Sequence, residues 1–307
     1  MPPLAEEAMT ETQRRRFHEL WQLRGERPGG PGSFWIRSPA ISEAAEPMRQ
    51  QMERRSGVPK ALTEVAMLVA ARHWSAPFAW GRHEPQAIKA GIEAEAVAAL
   101  RSGRTPKFVD EQAQAVHDMS WELLQTGGLT DTSYARAAKL FTEPTLVEMV
   151  SEIGYACLVA LANATFAPDP PPGVMDDLEH GPPPVIPAPV PSRPTRLSSP
   201  AWRLCPAIAT CAQRYEDAFG LHLAMDGEMR TLITGLIADF WNGHAVVPAN
   251  LAAEFVIQVL RDGQPSEATF QKASDQFGLV VVTELTALIG YTTLRTLVAN
   301  VFGGALS

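Results

Sequence analysis

The stretch "WGRHE", residues 80–84, places Trp80, Arg82, His83 and Glu84 within five positions. An imidazole titrates near neutrality and can move a proton in either direction. A guanidinium can take a carboxylate through two parallel hydrogen bonds. These residue types suit chemistry at carbon beside a carbonyl or enol, where a carboxylate is held, an enolate stabilised and a proton delivered. The same set would serve an isomerisation or a retro-aldol-type step. His83 is then the proton carrier, Arg82 the carboxylate ligand and Trp80 an apolar wall. No His, Cys or Asp cluster has ligand spacing, so no metal is expected. The plain alternatives are a packed histidine, a surface ion pair for Arg82 and core packing for Trp80.

The elements that must position these residues read as helices. "PKALTEVAMLVAARHW", just upstream, has apolar residues at three- and four-residue spacing and is rich in helix formers. "DEQAQAVHDMSWELLQTGG" starts on acids and stops on two glycines. "TDTSYARAAKLF" opens with Thr130 and Asp131, both good N-cap residues. "TLVEMVSEIGYACLVALANATF" is long and mostly apolar, which predicts a buried helix. No period-two alternation appears, so the predicted fold class is all-α. Residues 168–200 hold twelve of the chain's 26 prolines. Proline removes a backbone donor and fixes φ, so this segment predicts an extended spacer between residues 1–167 and 201–307.

The two flanking blocks repeat one another. "ELLQTGGLTDTSYARA" lies over "QVLRDGQPSEATFQKA", and "EIGYACLVALANATF" over "LIGYTTLRTLVANVF", at a constant offset of 136 residues. The gapless match runs from 121–166 to 257–302 and pairs Glu148 with Glu284, Gly154 with Gly290 and Tyr155 with Tyr291. Gly154 and Tyr155 therefore read as packing residues. Further upstream, "FAWGRHEPQAIKAGI" lies over "CAQRYEDAFGLHLAM" at an offset of 133, which sets Glu216 at the His83 position. The expectation is two helical repeats, the second degenerate.

With these blocks in order, residues 31–170 resemble the carboxymuconolactone decarboxylase family, which shares its fold with the alkylhydroperoxidase D proteins. The resemblance implies an all-helical unit, a small-molecule substrate, no cofactor and a homo-oligomer, here a trimer of duplicated chains. The redox branch of that family uses a Cys-x-x-Cys pair, a following His and a Glu on the preceding helix. The His matches His83 and the Glu matches Glu64, which is implied to set the imidazole tautomer. The two Cys positions fall on Ala76 and Ala79. A thiol peroxidase is therefore not expected, since it needs a thiolate and a resolving thiol. The decarboxylase-like branch often carries Glu-Trp-x-x-His, and here the Glu is Ala79. Without it, His83 must lean on Glu64 or lack a carboxylate partner. His73 is a further candidate for the same cavity, although nine residues from Glu64 put it on another helix face. The expected activity is a cofactor-free lyase or isomerase acting on a small carboxylated, keto or lactone metabolite. The alternative is an inactive small-acid-binding or assembly protein of the same fold.

Composition narrows the classes. The net charge of -8 and pI near 5.4 exclude non-specific binding to nucleic acid or to anionic membranes, which needs a positive footprint. No apolar run reaches about 18 residues and no secretory signal is evident, so no membrane association is expected. Three widely spaced cysteines, Cys157, Cys205 and Cys211, fit a reducing cytoplasm.

Overall fold

Helix signals in the sequence become helices almost residue for residue. The structure, a computed structural model, describes residues 3–169, 178, 196–221 and 223–303. Among these there are fourteen α-helices and no strand, so the chain is all-α. The predicted spacer falls largely on residues 170–177 and 179–195, which lie outside the described residues.

The first half runs through α1 (Glu11–Arg24), α2 (Pro31–Trp35) and α3 (Pro39–Gln50), which continues into a π-helical turn at Gln51–Arg55. It proceeds through α4 (Lys60–His73), α5 (Pro77–Lys89), α6 (Ala94–Arg101), α7 (Glu111–Thr126), α8 (Asp131–Leu140) and α9 (Glu143–Phe166). The second half contains α10 (Ala201–Leu204), α11 (Pro206–Leu221), α12 (Gly227–Trp241), α13 (Leu251–Asp262) and α14 (Glu267–Phe302), which breaks at Gly278. Side-chain caps fix the starts: Thr130 accepts from the Ser133 N–H, Thr142 from Thr145 and Ser266 from Thr269. Gly127 and Gly263 stop α7 and α13 at φ of 71° and 77°.

The core is built on α9 crossing the second segment of α14. Each helix supplies a glycine at the crossing. A Cβ on Gly154 would come 2.7 Å from Leu294 Cα, and a Cβ on Gly290 would come 2.7 Å from Leu158 Cα. The contact is reciprocal at the 136-residue offset, and so are others. The Glu122 carboxylate accepts from the Thr130 N–H, as the Gln258 amide accepts from the Ser266 N–H. Glu148 accepts from the Gly57 N–H just before α4, and Glu284 accepts from the Met225 N–H just before α12. Trp74, ending α4, meets Trp241, ending α12, edge to face at 6.4 Å.

This arrangement corrects the upstream pairing at offset 133. By its glutamate cap and terminal Trp, α12 corresponds to α4, and it leads directly to α13. The second half has no counterpart of α5 and α6 among its described residues. Instead of matching α5, α11 precedes α12 and packs on α3. Glu216 accordingly lies opposite Tyr291 as Glu53 lies opposite Tyr155, and not in the place of His83.

A second correction concerns membrane-length helices. By length and composition α9 and α14 are both apolar enough to cross a bilayer, which counting uninterrupted runs missed. In this fold, 89% and 72% of their apolar windows are buried inside the protein.

Candidate functional site

Lys60 and Glu64 are four residues apart on α4 and so share a face. Their side chains form an ion pair between Nζ and Oε1. The chain then reverses through Ser75, at φ 47°, and Pro77 opens α5. This turn lays α5 against α4 and brings His83 Nδ1 to 2.7 Å from Glu64 Oε2. Glu64 is fully buried and His83 is 6% exposed. Burial works to raise the Glu64 pKa, but the hydrogen bond and charge of His83, then those of Lys60, outweigh it. The carboxyl titrates below its ordinary range. With Nδ1 engaged, His83 has Nε2 left for the cavity that it lines.

That cavity measures about 400 Å³ and is bounded by α5, α9, α2 and the π-helical turn. Six basic side chains line it: Arg24, Arg27, Arg49, Arg54, Lys60 and Arg82. Two acids, Glu26 and Glu53, oppose them there. Arg24 and Arg49 are both bound by Glu46, and Arg49 also by Glu53. Arg27 lies over the Phe17 ring, and among the described residues neither Arg27 nor Arg54 is paired with a carboxylate. The cavity is thus a basic focus in an acidic protein, suited to a small anion.

The expected site residues divide. His83 and Glu64 meet as the resemblance implied, and Ala79 lines the cavity beside His83. Arg82 stands at the rim, where Glu26 Oε1 accepts from its guanidinium at 2.6 Å, so it is both cavity-lining and a surface ion pair. Trp80 is not a cavity wall. It is fully buried, its indole N–H donates to Glu84 Oε2 at 2.9 Å, and Arg101 reaches the same carboxylate. His73 does not face the cavity either. Its ring packs against Trp74, Gln125 lies 3.4 Å from its Nδ1, and burial with Arg72 nearby lowers its pKa to about 3.

Several cavity residues escaped the sequence reading. Lys60 was legible in principle from its i, i+4 relation to Glu64. Asn163 was legible as a lone amide in an apolar run. Trp35, Glu53 and Arg54 carried no signal, because only the fold brings them to His83. Tyr155 lines the cavity, and its hydroxyl donates to Glu53 Oε1 at 3.1 Å. Behind it, Glu152 is fully buried with neither oxygen partnered. Burial, then the Glu53 charge, raises its pKa well above the ordinary carboxylate value.

All three cysteines are buried and none lines this cavity. Burial pushes the Cys157 and Cys205 thiols up to about 12 and raises Cys211 as well, the reverse of what a peroxidatic thiol needs. Among the described residues, no three His, Cys, Asp or Glu side chains are placed to hold a metal ion. No model of a known protein family matches the chain, and no curated protein matches it.

Proposed function

We propose that the chain is a lyase or isomerase of the carboxymuconolactone decarboxylase type, acting on a small carboxylated keto or lactone metabolite. The observation that carries this reading is the Lys60–Glu64–His83 chain ending on a basic cavity. Rim arginines would hold the substrate carboxylate. In a decarboxylation, the electron pair of the breaking C–C bond moves into the enolate as carbon dioxide leaves. The His83 Nε2–H then delivers a proton to carbon. Glu64, held ionised by its neighbours, fixes the imidazole tautomer and stabilises the imidazolium. In an isomerisation, the neutral imidazole takes a proton from one carbon and returns it to another.

The reading extends to the chain as a whole. It treats the two halves as a duplication, supported by the reciprocal contacts at the 136-residue offset. It also treats the chain as a subunit of a homotrimer, as the resemblance implies. The test is carbon dioxide release and product isomerisation across a panel of β-keto and vinylogous keto acids, including carboxymuconolactone-type lactones. Wild type is run beside a folded His83→Ala. Turnover lost in the variant supports the reading. Turnover retained moves the chemistry elsewhere. Binding without turnover in wild type favours a small-acid-binding protein of the same fold.

A further inference from the structure

The cavity wall carries two side chains whose polar atoms have no partner. Asn163, one turn beyond Val159 on α9, is 2% exposed, and neither its Nδ2 nor its Oδ1 is hydrogen-bonded. Trp35, on α2, is 5% exposed, and its indole Nε1 is likewise without a partner. Both residues line the cavity that holds His83. Buried polar groups are nearly always satisfied, so two orphans on one cavity wall require an explanation. Packing does not supply it, because the residue at the Asn163 position in the second half is Ala299.

The backbone over the amide is adapted to lie close. Gly30 has φ 52°, and a Cβ there would strike Phe78 Cε1 at 2.6 Å and come 3.3 Å from Asn163 Oδ1. Only glycine lets residues 28–32 take this course beside the amide.

We propose that Asn163 and Trp35 read the neutral carbonyl end of the ligand, while the basic rim takes its carboxylate. The Asn163 and Trp35 N–H groups supply donors for a carbonyl oxygen, and Asn163 Oδ1 accepts from an enol or hydroxyl beside it. These are specificity-determining residues. The proposal rests on the cavity being the ligand site and not on the reaction assigned to His83.

The experiment uses levulinate and valerate, the same five-carbon acid with and without a keto group. Affinities are measured by ligand-observed NMR on wild type, Asn163→Leu and Trp35→Phe, with thermal unfolding of each ligand-free protein. Wild type should prefer the keto acid by about tenfold, the net worth of one typical hydrogen bond. Asn163→Leu should bind both acids alike, at the valerate affinity, and Trp35→Phe should keep only part of the preference. Ligand-free Asn163→Leu should also melt roughly 2–4 °C higher, since a similarly shaped apolar group replaces an unsatisfied amide. A lower melting temperature or misfolding in Asn163→Leu would make the amide structural and overturn the proposal. So would a keto preference that survives both substitutions, or a wild type that binds neither acid or both equally. Because binding is read without turnover, loss of the lyase reading leaves this result intact.

Discussion

Two cavities lie on related faces of the crossed helices, and among the described residues only the first is lined by a histidine. In the first half, Tyr155 donates to Glu53 beside His83, and Val159 leaves the space open. In the second half, Tyr291 donates to Glu216 at 2.8 Å, and Arg295, standing where Val159 stands, forms an ion pair with that glutamate. The second cavity, about 320 Å³, contains no histidine. The tyrosine–glutamate pair thus belongs to the scaffold. His83 comes from α5, which with α6 has no counterpart after α12 among the described residues. Polarity is redistributed too, with Glu152 against Leu288 and Asn163 against Ala299.

The hardest test of this contrast is a paired knockout. Substituting His83→Ala should lower turnover on the best acid in the panel about 10²–10⁴-fold, the usual contribution of a positioned acid or base. Substituting Glu216→Gln should leave turnover within about twofold, because it touches only the scaffold pair. Equal sensitivity to both would mean that the second cavity takes part in the reaction.

The next largest effect is on acid stability. His73 precedes Trp74 as Phe240 precedes Trp241, so one half buries an imidazole where the other buries a phenyl ring. The folded pKa of His73, about 3, lies below the ordinary 6.5. Between these values the unfolded chain binds the extra proton, so His73 lowers stability progressively as pH falls from 6.5 towards 3. The slope reaches at most about 1.4 kcal/mol per pH unit. His73→Phe should therefore gain on wild type in chemical denaturation as pH is lowered, with the smallest difference above pH 6.5. A constant difference at every pH would show that His73 titrates normally in the folded state.

The helix crossing predicts equal penalties in the two halves. A Cβ at Gly154 or Gly290 meets backbone at the same 2.7 Å, so neither partner can yield by a rotamer change. Each Gly→Ala substitution should cost about 1–3 kcal/mol through overpacking. Denaturant unfolding should give the two values within about 0.5 kcal/mol of each other. A large inequality would mean that the halves brace the crossing differently.

Much of this fold was legible because helices announce themselves locally. Thr130, the acids opening α7 and the glycine at 127 acted where the sequence put them, and Gly154 was readable as a close approach. Glu64 and His83 were legible only through their order and spacing in a resemblance, since no local rule joins residues 19 apart. The failures were of direction and correspondence. Trp80 and His83 are three residues apart on one helix, yet the Glu84–Arg101 pair draws the indole towards α6. The offset of 133 aligned residue types that the fold separates, because a common helical period imitates kinship over short stretches. Trp35, Arg54 and Asn163 converge through tertiary packing alone, which composition and periodicity do not encode.

The smallest expected effect bears most directly on the comparison. Arg295 and Glu216 are 43% and 41% exposed at the side chain, so solvent screens their attraction and the pair should contribute under about 1 kcal/mol. Arg295→Val should therefore shift the melting temperature by no more than roughly 2–4 °C. Glu216 would keep its Tyr291 hydrogen bond, and turnover would stay unchanged because no histidine faces the opened space. The reverse exchange, Val159→Arg, places a long cation across the first cavity from a buried wall position, with circular dichroism checking that the variant folds. Levulinate binding, read by ligand-observed NMR, should then fall below detection. If Arg295→Val unfolds the protein instead, Arg295 is a strut of the second half and not the plug of a vacant cavity. The two cavities would then differ in architecture as well as in chemistry.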